Sequence, residues 1–257
     1  MATAHAQENS ASNALLLNFA EKDVAANVYR QAHSAIQWLA RLSNSYAEPK
    51  PENAHLILRW DEDNSAIVSQ AIAPGTTVEL QPHKFFLQFR ENGTATPHAV
   101  TLDDTTSARV EAWCLIELLH RELDRDRLSK DLPYNVDALM NGDSEDFETF
   151  GQEDVFEQFG VLIAGAAAML KSAGQGSAAV QVDPSDFAVF TVNGSGAQIG
   201  LCLGDQEAGQ AYYFRSKEVA TLSGSARSSA AKSEIVTAEA IAATGKSVDD
   251  IAAFLAG

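Results

Sequence analysis

The residues with the clearest chemical potential lie between Arg109 and Asp124. Glu117 and Arg121 stand four residues apart in a strongly apolar stretch with helical periodicity, and so do His120 and Asp124. That spacing lets side chains meet on one helix face. Carboxylates beside an imidazole supply a general base and, with a divalent cation, the ligands for activating water. The candidate catalytic set is therefore His120, Glu117 and Asp124. Trp113 lies one turn before Glu117, with Arg109 beside it. An indole ringed by Arg, Glu and His can bind a small polar ligand or anchor a subunit interface. Trp113, Arg109, Glu117, His120 and Arg121 thus form the candidate ligand or interface set. The histidines as a group, His98 included, show neither HExxH nor a close pair with ligand spacing, which gives little support to histidine-type metal catalysis.

A second group of candidates lies further on. Asp137, Asn141, Asp143, Glu145 and Glu148, with Gly142 at the turn, resemble the ligand pattern of an EF-hand calcium loop. Leu139 occupies a position where that loop has an oxygen ligand, Ser144 stands where an apolar residue belongs, and Pro133 interrupts the entering helix. These residues then read as an irregular cation site or as a solvated acidic loop. Gly200-Leu-Cys202-Leu-Gly204 resembles the nucleophile elbow of α/β-hydrolases in its cysteine form, as in dienelactone hydrolases. The resemblance implies an acid and a histidine downstream, but no histidine follows His120. Cys202 then reads as a buried strand cysteine between packing glycines. The stretch Gly194 to Gly200 has neither dinucleotide-loop spacing nor a Walker lysine, and no cofactor is expected.

Composition narrows the partners. Eighteen Lys and Arg against 35 Asp and Glu give a formal charge of -17, which repels phosphate backbones and anionic lipid. Neither nucleic acid nor a membrane surface is an expected partner. Nine acids between Asp131 and Glu157 would suit a basic protein partner instead. Two cysteines without CxxC spacing provide no disulfide framework. The first residues lack a signal-peptide pattern, and no apolar run approaches the roughly 20 residues that span a bilayer. The cytoplasm is the expected location.

The elements that must position these residues follow from periodicity. Residues 1–13 are small and polar and expected to be a disordered tail. Asn18 and Glu21 suggest a capping box for an amphipathic helix running to about Leu42. Four strand-like runs between His55 and Phe89 are joined by links too short for helical crossovers, which predicts antiparallel pairing. They feed the helix from Ser107 to Arg121, with Asp103 and Asp104 expected as cap and first-turn charges.

On a wheel of about 100° per residue, Ala112, Leu115, Ile116 and Leu119 form the arc expected to pack on the sheet. Trp113 then falls on the polar side, to be covered by another subunit or by the second half of the chain. An apolar helix from Val155 to Leu170, further strands, and two short helices (Glu234 to Ala243, and Val248 to Leu255 capped by Ser247 and Asp250) complete the chain. The expected fold is α+β, mainly antiparallel sheets packed against a few long helices, with two similarly ordered halves (14–130 and 131–257) that could form one continuous domain.

With no complete triad, metal motif or cofactor loop, the leading expectation is a soluble, non-catalytic binding or interaction module, with a homo-oligomer or protein partner at Trp113. One alternative is a hydrolase or transferase using carboxylates with His120, with or without a divalent cation. The other is an acidic assembly component that binds a basic partner.

Overall fold

The computed structural model describes residues 13–19, 22–136, 139–140, 145–174, 179–203, 210–217, 222 and 233–257. Nearly all of the expected disordered tail therefore lies outside the described residues. Ala25, Val28, Ala32, Ala35, Ile36, Leu39 and Leu42 recur at helical spacing and are buried along helix α1 (Lys22–Tyr46). The helix runs one turn past the expected Leu42. Tyr46 supplies a reason, because its hydroxyl donates to the Asp124 carbonyl at 2.7 Å and its ring lies beneath Arg127.

The first run of strands is β1 (Leu58–Asp61), β2 (Ala66–Val68), β3 (Thr76–Gln81), β4 (Phe86–Glu91), β5 (Thr94–Ala95) and β6 (Val100–Thr101). Strand β7 (Thr105–Thr106) leads into helix α2 (Ser107–His120), and the acidic segment pairs back onto it through β8 (Asp146–Phe147). Helix α3 (Glu153–Ala173) precedes β9 (Gln181–Asp183), β10 (Ala188–Val192), β11 (Gln198–Cys202), β12 (Tyr212–Ser216) and β13 (Ser233–Thr237). Helices α4 (Ala238–Thr244) and α5 (Val248–Ala256) end the chain. Residues 234–237 were expected to be helical. They extend instead as an edge strand paired with β12, consistent with the strand preference of Ile235, Val236 and Thr237.

Among the described residues all strand pairings are antiparallel; β7 and β8 form a separate two-stranded sheet, and the other strands build an 11-stranded sheet in the order β13-β12-β11-β10-β9-β1-β2-β3-β4-β5, with β6 also on β4. The strands that open the two meanders, β1 and β9, are neighbours through Leu58↔Val182 and Arg59↔Gln181. Two meanders therefore run outward from a shared centre, and the sheet is continuous across both halves. Each is preceded by a long helix, α1 or α3, and these two helices pack together over the sheet.

Side chains alternate across the strands, so Val78, Leu80, Leu87, Phe89, Val182, Val189, Ile199, Leu201 and Tyr213 all join the core beneath the helices. Phe156 stacks on Phe85 with centroids 4.5 Å apart, and Phe159 meets Tyr29 and Phe187 at 5.6 and 5.9 Å. The acidic segment is thereby docked through its phenylalanines, with Phe147 also against Phe85 and Phe150 left exposed. Helix α3 approaches the β3–β4 turn closely at Gly160, where a Cβ would lie 2.6 Å from the Cβ of His83. In length and composition α3 could cross a bilayer, contrary to the expectation that no run comes near that length. Phe156, Phe159, Leu162, Ile163, Ala166 and Leu170 are nevertheless buried, the pattern of a core helix.

Candidate metal centre

Helix α2 has the opposite rotation from the one its apolar wheel predicts. Val110, Cys114, Glu117 and Leu118 are buried, whereas Ile116 and Leu119 are each 53% exposed. Contacts with β4 show what holds it there. The Trp113 ring packs on Phe89 at 5.1 Å between centroids, and the Arg121 guanidinium lies 4.3 Å from the same ring. One aromatic on β4 thus draws the supposedly polar arc inward. Within the chain, Trp113 packs against its own half, on Phe89 and the His98 carbonyl, and is left half-buried. Its cap also differs from expectation, because the Thr106 hydroxyl accepts from the Arg109 N–H at 3.2 Å. Asp103 instead accepts from the Thr149 N–H at 2.8 Å, and that bond holds its carboxyl below the usual range.

This rotation gathers a group that the sequence does not announce. His98 sits between β5 and β6, where the N–H and hydroxyl of Thr96 both donate to the Phe89 carbonyl at 3.0 and 3.1 Å. The Trp113 indole N–H then donates to the His98 carbonyl at 3.2 Å. These bonds hold the segment over α2. The Nδ1 atom of His98 lies 3.3 Å from Glu117 Oε1, and Nδ1 of His120 lies 3.4 Å from the same oxygen. The two imidazole rings are 5.6 Å apart and inclined by 49°. The Glu117 side chain is only 2% exposed, while those of His98 and His120 are 62% and 50% exposed. A buried carboxylate therefore forms the floor, with two accessible imidazoles above it.

The opposite oxygen of Glu117 is already engaged. Arg121 Nη1 donates to Oε2 at 2.8 Å and to the Glu117 carbonyl at 2.7 Å, and Nη2 pairs with Glu91 at 3.1 Å. Oε1 is the oxygen presented to the imidazoles. Among the described residues, His98, Glu117 and His120 are the group whose ligand atoms could hold a metal ion, all within 4.8 Å of one another.

Two imidazole nitrogens and one carboxylate oxygen are a recurring ligand set for zinc-class and non-haem iron ions. Ligands at about 2.1 Å in tetrahedral array stand roughly 3.4 Å apart, close to both observed nitrogen–oxygen separations. Three protein ligands leave a position open to solvent, and His120 closes a helix whose C-terminal end favours positive charge.

The other candidates lie elsewhere. Asp124 does not join His120, because α2 ends there and Glu122 turns the chain with φ 57°. Its carboxylate caps the following turn by accepting from the Asp126 N–H. Arg109 donates to the Asp104 carbonyl at 3.0 Å, away from the cluster. Glu145 is ion-paired with Arg30 at 2.7 Å, and the Glu148 backbone is held by Gln31. Both line an open cavity of about 650 Å³ with Asp103, Asp104, Asp146 and Phe150. Asp137, Asn141 and Asp143 lie outside the described residues. Cys202 is the last residue of β11, paired with Ala188 and Tyr212 on the neighbouring strands, and a Cβ at Gly200 would come 2.4 Å from the Val189 carbonyl. That glycine serves strand packing, and Cys202 is itself still paired as a strand residue, while Gly204 lies outside the described residues.

His98 escaped sequence reasoning because it precedes His120 by 22 residues, across two strands and a helix start. No local spacing marks that pairing. No family model, curated protein or solved structure matches this chain.

Proposed function

We propose that the chain binds a divalent transition-metal ion through His98, Glu117 and His120, and that it is a metal-dependent hydrolase. The observation that carries this reading is the convergence of two imidazole Nδ1 atoms on one oxygen of a buried carboxylate, at 3.3 and 3.4 Å. When bound, such an ion supplies Lewis acidity and lowers the pKa of a coordinated water towards about 7. The chain's own part is to hold the ligands. Glu117 is fixed by Arg121, His98 by the Trp113 bond to its backbone, and His120 by the helix.

The imidazoles stand at the surface rather than in a deep cleft. This favours a reacting group presented by a larger molecule over an engulfed small one. Calorimetric titration of metal-free protein with Zn²⁺ should give one ion per chain, with binding lost in His98→Ala and His120→Ala. Zinc-loaded protein should then hydrolyse activated ester or phosphodiester probes faster than chelator-treated protein. Absence of zinc binding, or binding indifferent to both substitutions, would remove the reading.

A second reading has its own observation. Ala112, Ile116 and Leu119 form an exposed apolar stripe on α2, as a non-catalytic interaction module or a homo-oligomer would present. A single sedimenting species of monomer mass at high concentration would count against self-association through it.

A further inference from the structure

We propose that Arg121 is a positioning residue that makes Glu117 a one-oxygen ligand and thereby suits the centre to four-coordinate, zinc-class ions over calcium or magnesium. This rests on the metal reading above and names the class of ion. The Arg121 side chain is 8% exposed and held from three sides. Nη1 bonds both Glu117 Oε2 and the Glu117 carbonyl, at 2.8 and 2.7 Å. Nη2 pairs with Glu91 at 3.1 Å, and the guanidinium plane rests on Phe89 at 4.3 Å. A fork held in this way leaves the carboxylate little freedom to rotate. Oε1 faces His98 and His120, and Oε2 cannot turn to an ion without giving up a charge-assisted bond.

That constraint discriminates between ions. Calcium takes six to eight oxygen ligands and often a two-oxygen carboxylate, while magnesium retains waters and prefers oxygen to imidazole. A one-oxygen carboxylate with two imidazoles meets the needs of a tetrahedral ion instead. Charge is consistent with the same assignment. Arg121 offsets Glu117, and Glu91, beyond it, restores one negative charge to the group facing a dication.

The test uses the full chain, stripped of metal and titrated with Co²⁺, whose visible bands are intense when four-coordinate and weak when six-coordinate. The unsubstituted protein should take one equivalent with intense bands, undiminished by excess Ca²⁺ or Mg²⁺. Arg121→Gln should bind about 10- to 100-fold more weakly, with bands moved towards the weaker spectrum. Glu91→Gln, at a half-exposed strand end, should shift both readouts the same way by a smaller amount, and it decides the matter if Arg121→Gln does not fold. A folded Arg121→Gln protein, or failing that Glu91→Gln, with unchanged affinity and spectrum overturns the positioning role while leaving the metal centre intact. Displacement of Co²⁺ by Ca²⁺ or Mg²⁺ overturns the ion preference. If the unsubstituted protein binds no cobalt, the metal centre itself falls and this inference with it.

Discussion

Replacing Glu117 with Gln tests the buried pair and the ligand assignment together. The substitution preserves volume and an acceptor oxygen but removes the charge that faces Arg121 at 2.8 Å. Breaking a fully buried ion pair costs about 3 to 5 kcal/mol, because the surviving charge is left uncompensated. Here Arg121 retains Glu91 at 3.1 Å, a partner whose side chain is 51% exposed, and it can still donate to the new amide oxygen. The expected loss is therefore nearer the difference between a charged and a neutral acceptor, about 1 kcal/mol. For a chain of this size that corresponds to a fall of about 2 to 4 °C in the unfolding midpoint.

Thermal melts followed by circular dichroism on metal-free protein measure that loss. The same melts with zinc at about 100 times its dissociation constant should stabilise the unsubstituted protein by about 2.7 kcal/mol and leave Glu117→Gln almost unmoved. An unchanged midpoint in the metal-free variant would refute the buried pair. A full zinc shift in the variant would refute Glu117 as a ligand.

Other consequences are equally open to measurement. Trp113→Ala should cost about 2 to 3 kcal/mol in urea unfolding, since it empties a half-buried site on Phe89, and it should weaken zinc binding by freeing the His98 segment; no change in either would contradict the packing described. Gly160→Ala should destabilise by about 1 to 3 kcal/mol, because the added methyl meets the Cβ and backbone of His83; a neutral result in the same assay would show that the helix can move away. Burial pushes the His33 imidazole down from 6.5 to about 4. The unfolded chain therefore binds a proton that the folded chain refuses, and stability falls as pH drops from about 6.5 towards 4, by about 2 to 3 kcal/mol. His33→Gln should flatten that part of the urea-stability profile, and an unaltered slope would assign it to other groups.

The strands were legible because alternation in Val78, Leu80, Leu87 and Phe89 and the short links between them leave antiparallel meanders as the economical arrangement. The last capping box was legible for a similar reason, as Ser247 and Asp250 satisfy each other within one turn. The rotation of α2 was not. Val110, Trp113, Cys114, Leu115, Ile116, Leu118 and Leu119 surround most of that helix, so periodicity alone does not select a face. Phe89, distant in sequence and able to receive both Trp113 and Arg121, selects it. The centre was half legible. Glu117, His120 and Arg121 were identifiable from helix spacing, but His98 arrives through the register of β4 with its neighbours, information held in long-range pairing. Asp124 fell away because its distance from His120 assumed a helix that Glu122 terminates.

The central claim is that one ion sits between His98, Glu117 and His120. Crystals grown with Zn²⁺ and measured on both sides of the zinc absorption edge locate such an ion without relying on activity. The account predicts an anomalous peak about 2.0 to 2.2 Å from Nδ1 of His98, Nδ1 of His120 and Oε1 of Glu117, with Oε2 still bonded to Arg121. A zinc-saturated crystal with no peak at that position, or with its peak among the acids around Glu145 and Glu148, would contradict it.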